Sequence, residues 1–410
     1  MRVVFFNRSY WPDFGATGQL LTELSQDLAR AHGCEVEVVA GGGTKSVGLF
    51  SREQHEGVDI LRAKETRLAR RSFLGRFTNY LSYFFSALWA SFRIRRPDVV
   101  VGLTDPPIIG LVAWATARRT GARFVFLCQD IFPEVANLLE DFRSERINWI
   151  LERVNRFLVR RADHVVALGE TMKRRLVEGK GALPGKVAVI HNWADSAILS
   201  PGPKDNPFSR EHGLHDRFVV LHAGNIGLSQ NLDSVLDVAG RLEAVTFLFI
   251  GDGVRKQPLE EEARRRGLGN VRFLPYQPRE RMRETYATAD VFLVSLKRGL
   301  AGYIVPSKLY GILAAGRPFV AAVEDDSEVA AITREQDCGI VVAPGDVGGM
   351  THEISRLHGD RDLSRRLGEN ARRASARFDR RTQVRAYHDL FQDQLRPHGS
   401  RENAALETSV

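Results

Sequence analysis

Phe218-Val-Val-Leu-His-Ala-Gly-Asn-Ile-Gly-Leu-Ser-Gln-Asn-Leu232 is the stretch that decides the fold. The apolar run Phe218 to Leu221 has the length of a buried strand, and a helix needs more. It leads into a loop of small and polar residues, Ala223 to Ser229, and then into Leu232 to Arg241, where apolar residues recur at helical spacing. Strand, glycine loop and helix in that order form the opening unit of a doubly wound α/β domain, in which ligands bind at the carboxyl ends of the strands. Gly224 and Gly227 permit close backbone approach, and a helix start offers unpaired N–H groups to an anion. Downstream, Thr246 to Ile250, Val271 to Leu274, Val291 to Ser295, Phe319 to Val323 and Ile340 to Val342 read as further strands with helices between them. Such alternation implies a parallel sheet covered on both faces.

The chain before this unit repeats the pattern. Val3 to Phe6, Glu35 to Ala40, Val99 to Val101, Arg123 to Leu127, His164 to Leu168 and Lys186 to Ile190 read as strands. Helical spacing covers Gln19 to Ala31, Ile108 to Arg119 and Arg146 to Arg160. Between the two series, Ser200-Pro-Gly-Pro-Lys-Asp-Asn-Pro207 has no apolar face and reads as a linker. The expected division is therefore a first domain over 1–199 and a second over 200–378. A helix over 379–396 would return to the first domain, and a polar tail over 397–410 would be disordered. The first strand is followed by Gly15, Ala16, Thr17 and Gly18, a second small-residue loop before a helix, where unpaired N–H groups suit an anion such as a phosphate. Read locally, the same loop is a tight turn with Thr17 as N-cap.

The 410 residues suit two domains, and 43% hydrophobic with 26% charged residues supports two real cores. The formal charge of +8 favours anionic partners, whether nucleotides, phospholipid surfaces, lipid-linked phosphates or nucleic acid, and does not choose among them. Three scattered cysteines, Cys34, Cys128 and Cys338, fit neither a disulfide framework nor a zinc site and argue for a reducing compartment. The start Met1-Arg-Val-Val-Phe-Phe lacks the layout of a secretion signal, and no run reaches the roughly 18 apolar residues of a membrane span. The expected location is the cytoplasm, against the inner face of the membrane. Arg264-Arg-Arg266 and Arg372-Arg373 read as solvated helix faces without interleaved aromatics, so nucleic acid is not an expected partner.

Pro306-Ser-Lys-Leu-Tyr-Gly-Ile-Leu-Ala-Ala-Gly-Arg-Pro318 carries the most chemistry. It predicts a helix to about Ala315, capped by Ser307 and ended by Gly316 and Pro318. Lys308 stands in the first turn, where it opposes the helix dipole unless an anion lies between. That local conflict points to a diphosphate site.

With these segments in view, the chain resembles glycosyltransferase family 4, retaining enzymes of the GT-B fold: two Rossmann-like domains facing across a cleft. The resemblance runs from Met1 to about Leu395 and is carried by Tyr10-Trp-Pro12 with Gly15 to Gly18, Val187 to Asp195 and Ala223 to Leu232. It continues through Ile250-Gly-Asp-Gly253, Tyr286 to Val291, Pro306-Ser-Lys308 and Ala314 to Pro318. It is most similar to the branch building bacterial surface polysaccharides, including transferases of N-acetylfucosamine-type sugars. The resemblance implies a nucleotide-sugar donor, UDP-linked, held by the second domain, and a polyprenyl-linked saccharide acceptor on the first. Asn225 and Gln230 stand where the family carries a basic pair, and Tyr303 and Gly311 where it carries two glutamates. Lys308, with Lys297 or Arg298, is left to supply the charge, and amides around Ala301 to Tyr303 to hold sugar hydroxyls. Phe273 to Tyr276 aligns with the base-binding strand end, and Glu328 with a glutamate of the following loop. Asp130, in Cys128-Gln129-Asp130, takes the place of a histidine near the donor sugar. The expected catalytic residues are Lys308 and Asp130. The expected donor contacts are Gly224, Asn225, Gly227, Gln230, Lys297, Tyr303, Ser307, Lys308, Tyr276 and Glu328. No cofactor is expected, and no metal: Asp325-Asp326 reads as a surface turn.

Leu68 to Arg96 is the other informative stretch. Phe73, Phe77, Tyr80, Tyr83, Phe84, Phe85, Trp89 and Phe92 are flanked by Arg67, Arg70, Arg71 and Arg76 on one side and by Arg93, Arg95 and Arg96 on the other. An aromatic helix between basic flanks suits an anionic membrane surface, although part of it must pack on the sheet. His164, His191 and His222 at strand ends read as structural histidines. Two other readings are compatible with the chain: a nucleotide-sugar epimerase of the same architecture, which needs no acceptor, and a nucleotide-sugar-binding protein without catalysis.

Overall fold

The computed structural model describes residues 1–13, 15–42, 48–66, 68, 73–139 and 144–395, with only the backbone described at Phe73 and Leu74. Arg67, Arg70, Arg71 and the tail after Pro397 lie outside the described residues. The chain forms two compact units. The first holds Met1–Leu168, Lys173–Ile190 and the chain from Gln383 onward; the second holds Gly169–Met172 and His191–Thr382.

In the first unit β1 (Arg2–Phe6), β2 (Glu35–Gly41), β3 (Phe50–His55), β4 (Val58–Ala63), β5 (Val99–Gly102), β6 (Arg123–Leu127), β7 (His164–Ala167) and β8 (Val187–Val189) make one sheet. Their order is β3-β4-β2-β1-β5-β6-β7-β8. All pairs are parallel except β3 with β4. That hairpin is absent from the sequence expectation because Ser51 to His55 is polar, as suits an edge strand with one side in water. Its turn, Glu56-Gly57, has positive φ at both residues, 55° and 85°, the twist that a tight hairpin requires. The central strands are apolar throughout because both faces are covered: Val3 to Phe6 and Val99 to Val101 are fully buried. The last helix, Arg380–Leu395, delivers Phe391 to within 6.4 Å of the Phe5 ring, and the Arg123 Nε donates to the Gln394 carbonyl at 3.1 Å. This end of the helix therefore belongs to the first unit's core.

The helix after β1 starts earlier than its periodicity suggests, at Ala16 with Gly15 as N-cap, so Thr17 lies in the first turn and is not the cap. Gly18 faces the backbone of Ser9 and Tyr10, where a Cβ would stand 3.4 Å away. Its small size serves helix–strand packing.

In the second unit β9 (Phe218–Ala223), β10 (Val245–Ile250), β11 (Val271–Leu274), β12 (Val291–Ser295), β13 (Phe319–Ala322) and β14 (Ile340–Val342) run in the order β11-β10-β9-β12-β13-β14, all parallel. Residues 200–207, read as a linker from composition, are tied into this unit. Asn206 caps a short helix by accepting from the Ser209 amide at 3.0 Å, and Arg283 donates to the Pro201 carbonyl. A capped loop and a linker both lack an apolar face, so composition does not separate them. The strand order reverses between β9 and β12, which opens a crevice at their carboxyl ends. Val220, Phe247, Leu293 and Val320 pack beneath helices carrying Val235, Leu236, Ile354 and Leu357. That core holds the loops above it in place.

Candidate functional site

The loops following β9, β10, β11, β12 and β13 leave the same edge of the second sheet, since every strand is parallel. Two of them interlock through glycine. Gly251 (φ 150°) lies so close to the preceding loop that a Cβ would meet the Gly224 carbonyl oxygen, and one on Gly253 (φ 152°) would meet that of Ile226. The Ile226 amide donates to the Asp252 carbonyl at 2.9 Å, and the Gly224 amide to the Ile250 carbonyl at 2.8 Å. Glycine is required here because L side chains avoid this backbone region and because no space exists for one. Asn225 is exposed at the tip of the first loop.

Lys308 begins the helix Lys308–Ala315, and its amine folds back against the end of β9. A Cβ on Gly224 would lie 3.6 Å from its Cε and 3.8 Å from its Nζ. The Nζ stands 3.0 Å from Nε2 of His222, a fully buried imidazole whose Nε2 is also 3.3 Å from the Asn225 carbonyl. Burial pushes the Lys308 ammonium down to about 7. Burial and the adjacent lysine hold His222 well below its ordinary value, so the imidazole is neutral. Among the described residues no carboxylate pairs with Lys308. The histidine reads as structural in the sequence, yet it is the lysine's polar neighbour. Its position directly before the glycine loop was the available signal.

The loop after β12 is braced by a residue the sequence reading did not single out. Glu324, following β13, accepts the Gly299 amide at 2.8 Å and the Ala301 amide at 3.3 Å. The Tyr303 amide donates to the Leu300 carbonyl, and the Lys297 amide to the Ser229 carbonyl at 2.7 Å. The amides of Ala301 and Tyr303, expected to face sugar hydroxyls, are thus engaged inside the fold. The Lys297 backbone links this loop to the one after β9.

Other expected contacts are likewise engaged. Gln230 accepts the Gly227 amide at 2.9 Å and closes its own loop. Ser307 occupies the N-cap position in helical conformation, and its hydroxyl makes no capping hydrogen bond. Glu328, nearly buried at the first turn of the helix Glu328–Gln336, accepts both the amide and the hydroxyl of Thr171 at 3.1 Å. Gly169 leaves room for that carboxylate, since a Cβ there would collide with it. Tyr276 is half exposed, hydrogen-bonds the backbone of Asp252, and has its phenol pushed up by burial. At Gly311 an added Cβ would lie 3.2 Å from the side chains of Leu199 and Tyr286, so this position faces side-chain packing.

In the first unit the order reverses between β1 and β5. There the Arg8 Nε donates to Asp105 at 3.1 Å, its guanidinium lies 3.5 Å from Glu65, and the Ser9 hydroxyl donates to Asp105 at 2.6 Å. Burial and the neighbouring Asp105 push the Asp130 carboxyl up to about 6. Gly15 and Ala16 are exposed at the start of their helix. Of the aromatic helix, Phe73–Ser91, Tyr83 is buried and donates to the Val39 carbonyl, whereas Phe85, Trp89 and the following Phe92 are 56–67% exposed. Arg93, Arg95 and Arg96 are exposed beside them. No helix among the described residues is long and apolar enough to cross a membrane.

Comparison with known proteins agrees with this geometry. Residues 15–193 match the glycosyl transferase 4-like domain, and residues 205–374 the glycosyl transferases group 1 domain. WbjE of Pseudomonas aeruginosa, named as a probable glycosyltransferase, is 30% identical over 305 residues, 72% of this chain and 74% of that protein. WcaI of Escherichia coli (strain K12), provisionally named as a colanic acid biosynthesis glycosyl transferase, is 26% identical over 80% of this chain and 85% of its own length. Among solved structures, Anabaena HepE in complex with UDP-glucose superposes with a TM-score of 0.74 at 19% identity, covering 96% of this chain and all of that one. WaaG, a glycosyltransferase involved in lipopolysaccharide biosynthesis, superposes with a TM-score of 0.69 at 15% identity over 95% of this chain and 99% of that one. With two parallel-sheet α/β domains of the GT-B fold, each matching its half of the family pattern, this chain belongs to the group 1 glycosyltransferases with a 4-like first domain.

Proposed function

We propose that this glycosyltransferase moves a sugar, with retention at the anomeric carbon, from a UDP-linked donor to a polyprenyl-linked saccharide during cell-surface polysaccharide synthesis. The observation that carries the reading is Lys308: a partly buried amine without a carboxylate partner among the described residues, set against the Gly224 backbone where the sheet order reverses. A diphosphate supplies the missing negative charge. The setting in cell-surface polysaccharide synthesis follows the names of WcaI and WaaG, UDP follows the ligand of HepE, and the polyprenyl-linked acceptor follows the family resemblance.

In the proposed reaction the anomeric C–O bond breaks and its electron pair passes to the β-phosphate oxygen. Lys308 receives that charge, with Lys297 on the adjoining loop; such preorganised electrostatics are commonly the largest catalytic contribution. The acceptor oxygen bonds to the anomeric carbon on the face the leaving group vacates, and its proton goes to the departing phosphate. Asn225 and the Gly224–Gly227 loop border the diphosphate, and Tyr276 the base. In the first unit Asp130 is assigned to the reacting sugars and the Gly15–Gly18 loop to the acceptor. Phe85, Trp89 and Phe92, with Arg93, Arg95 and Arg96, would rest on an anionic membrane where a polyprenyl acceptor resides.

A thermal-shift panel of UDP, GDP, ADP and their sugars tests the donor. A true ligand at about one hundred times its Kd adds roughly 2.7 kcal/mol. Release of nucleoside diphosphate only when extracted lipid-linked saccharides are added would establish transfer, whereas release from donor alone would favour an epimerase. Failure of every nucleotide to stabilise the protein overturns the proposal.

A further inference from the structure

The connections β4 to β5, β5 to β6 and β6 to β7 step across the first sheet in one direction. Right-handed crossovers therefore lay the helices Phe73–Ser91, Gly110–Thr120 and Glu145–Arg161 on the same face. The middle helix packs on both neighbours. Arg119 donates to the Ser91 carbonyl at 2.5 Å and lies over the Phe92 ring, and Trp114 meets Phe157 edge-on at 4.8 Å. The three helices form one continuous layer. Its outer two axes are about 16–20 Å apart, twice an ordinary helix spacing.

The helix Glu145–Arg161 buries Leu151, Asn155, Leu158 and Val159. On its other side Arg146, Trp149, Ile150 and Arg153 recur at spacings of three and four, with Trp149 60% and Ile150 49% exposed. Apolar residues scattered over a surface are ordinary. The distribution here is not scattered. Among the described residues, the large aromatic side chains exposed in the first unit are Phe85, Trp89, Phe92 and Trp149, and all four belong to this layer. Arginines accompany them at both edges, Arg93, Arg95 and Arg96 at one and Arg146 and Arg153 at the other. Arg153 lies over the Trp149 ring, while Glu152 is turned to Arg156 and Lys180, so it neutralises neither Arg146 nor Arg153.

We propose that the helix Glu145–Arg161 is a second membrane-binding element. Trp149 and Ile150 enter the headgroup region of an anionic bilayer, and Arg146 and Arg153 pair with its phosphates. The inference rests on the membrane contact proposed above for the Phe73–Ser91 helix, and it extends that contact to the whole helical layer. One helix on a bilayer is a line about which the molecule can roll. Two attachments separated by a third helix fix the plane of the first sheet against the membrane. They also reinforce each other, because the first to bind holds the second at high local concentration.

Co-sedimentation of the full chain with vesicles of phosphatidylcholine, with and without added phosphatidylserine, tests this. The parent binds the anionic vesicles at least about tenfold more tightly. Trp149→Glu with Ile150→Glu lowers the partition constant for them about tenfold or more, with an unchanged thermal unfolding midpoint because both side chains are exposed. Arg146→Gln with Arg153→Gln lowers it by about fivefold for each charge removed, and decides the matter should the glutamate pair unfold the chain. Binding unchanged in the folded variants overturns the inference; if Trp89→Glu with Phe92→Glu still abolishes binding, the membrane contact stands on the Phe73–Ser91 helix alone. A glutamate pair that binds vesicles normally but shifts the sedimentation coefficient of the free protein overturns it in favour of a second copy on this surface. A parent that binds neither vesicle removes the membrane contact itself, and this inference with it.

Discussion

A Cβ on Gly251 would stand 1.9 Å from the carbonyl oxygen of Gly224. Two loops from neighbouring strands are thereby pressed together at the backbone, beside the amine that the second unit offers to an anion.

Gly251→Ala therefore combines a backbone clash with an unfavourable φ of 150°. We expect a loss of about 2–4 kcal/mol in chemical unfolding, the range of overpacking added to strain. Nucleotide-induced stabilisation should vanish as well, because the Gly224 loop has to move. A variant as stable as the parent would mean that the two loops are not in register.

Glu324→Ala frees the Gly299 and Ala301 amides. Hydrogen bonds to a charged acceptor are worth about 1.5–3 kcal/mol, and a partly exposed loop should show the lower part of that range in urea unfolding. The larger effect should be on KM for the donor. Unchanged KM and unchanged stability together would show that the loop after β12 is held by something else.

Lys308→Ala should lower kcat by about a hundredfold or more with normal unfolding behaviour, the usual magnitude for removing a group that stabilises developing charge. Steady-state kinetics decide it. Turnover within about threefold of the parent removes the lysine from the leaving-group role.

The Asp130 carboxyl, pushed from 3.8 up to about 6 by burial and Asp105, binds protons more tightly in the folded chain than in the unfolded one. Its contribution to stability is therefore most favourable below about pH 4, declines as pH rises through the window from about 4 to 6, and stays low above it. Asp130→Asn should flatten that decline and, at pH 7, be more stable than the parent by on the order of 1–3 kcal/mol. Parallel unfolding curves at pH 5 and pH 7 would show it, and an identical pH dependence in both proteins would contradict it.

Trp89 and Phe92 are 67% and 62% exposed, so Trp89→Glu with Phe92→Glu should alter stability by less than about 0.5 kcal/mol. Co-sedimentation with vesicles containing anionic phosphatidylserine should nevertheless collapse, since the exposed aromatics and the adjacent arginines act together. Sedimentation equal to that of the parent protein, or a parent that binds no vesicles, would discard the membrane contact.

What could be read without coordinates is what neighbouring residues carry between them. Runs such as Val3 to Phe6 and Val291 to Ser295 announce buried parallel strands, because a strand covered on both faces needs consecutive apolar residues. Gly224 and Lys308 announce a loop and a helix start suited to an anion, because backbone freedom and dipole conflict are local properties. The polar edge strand Phe50–His55 stayed hidden because it lacks that apolar signature. Partnership was decided by the tertiary structure alone. His222 meets Lys308 across 86 positions and Glu328 meets Thr171 across 157, pairings that depend on which strands lie side by side. Sheet order comes from packing helices on two faces of one core, and no short stretch of the chain contains that information.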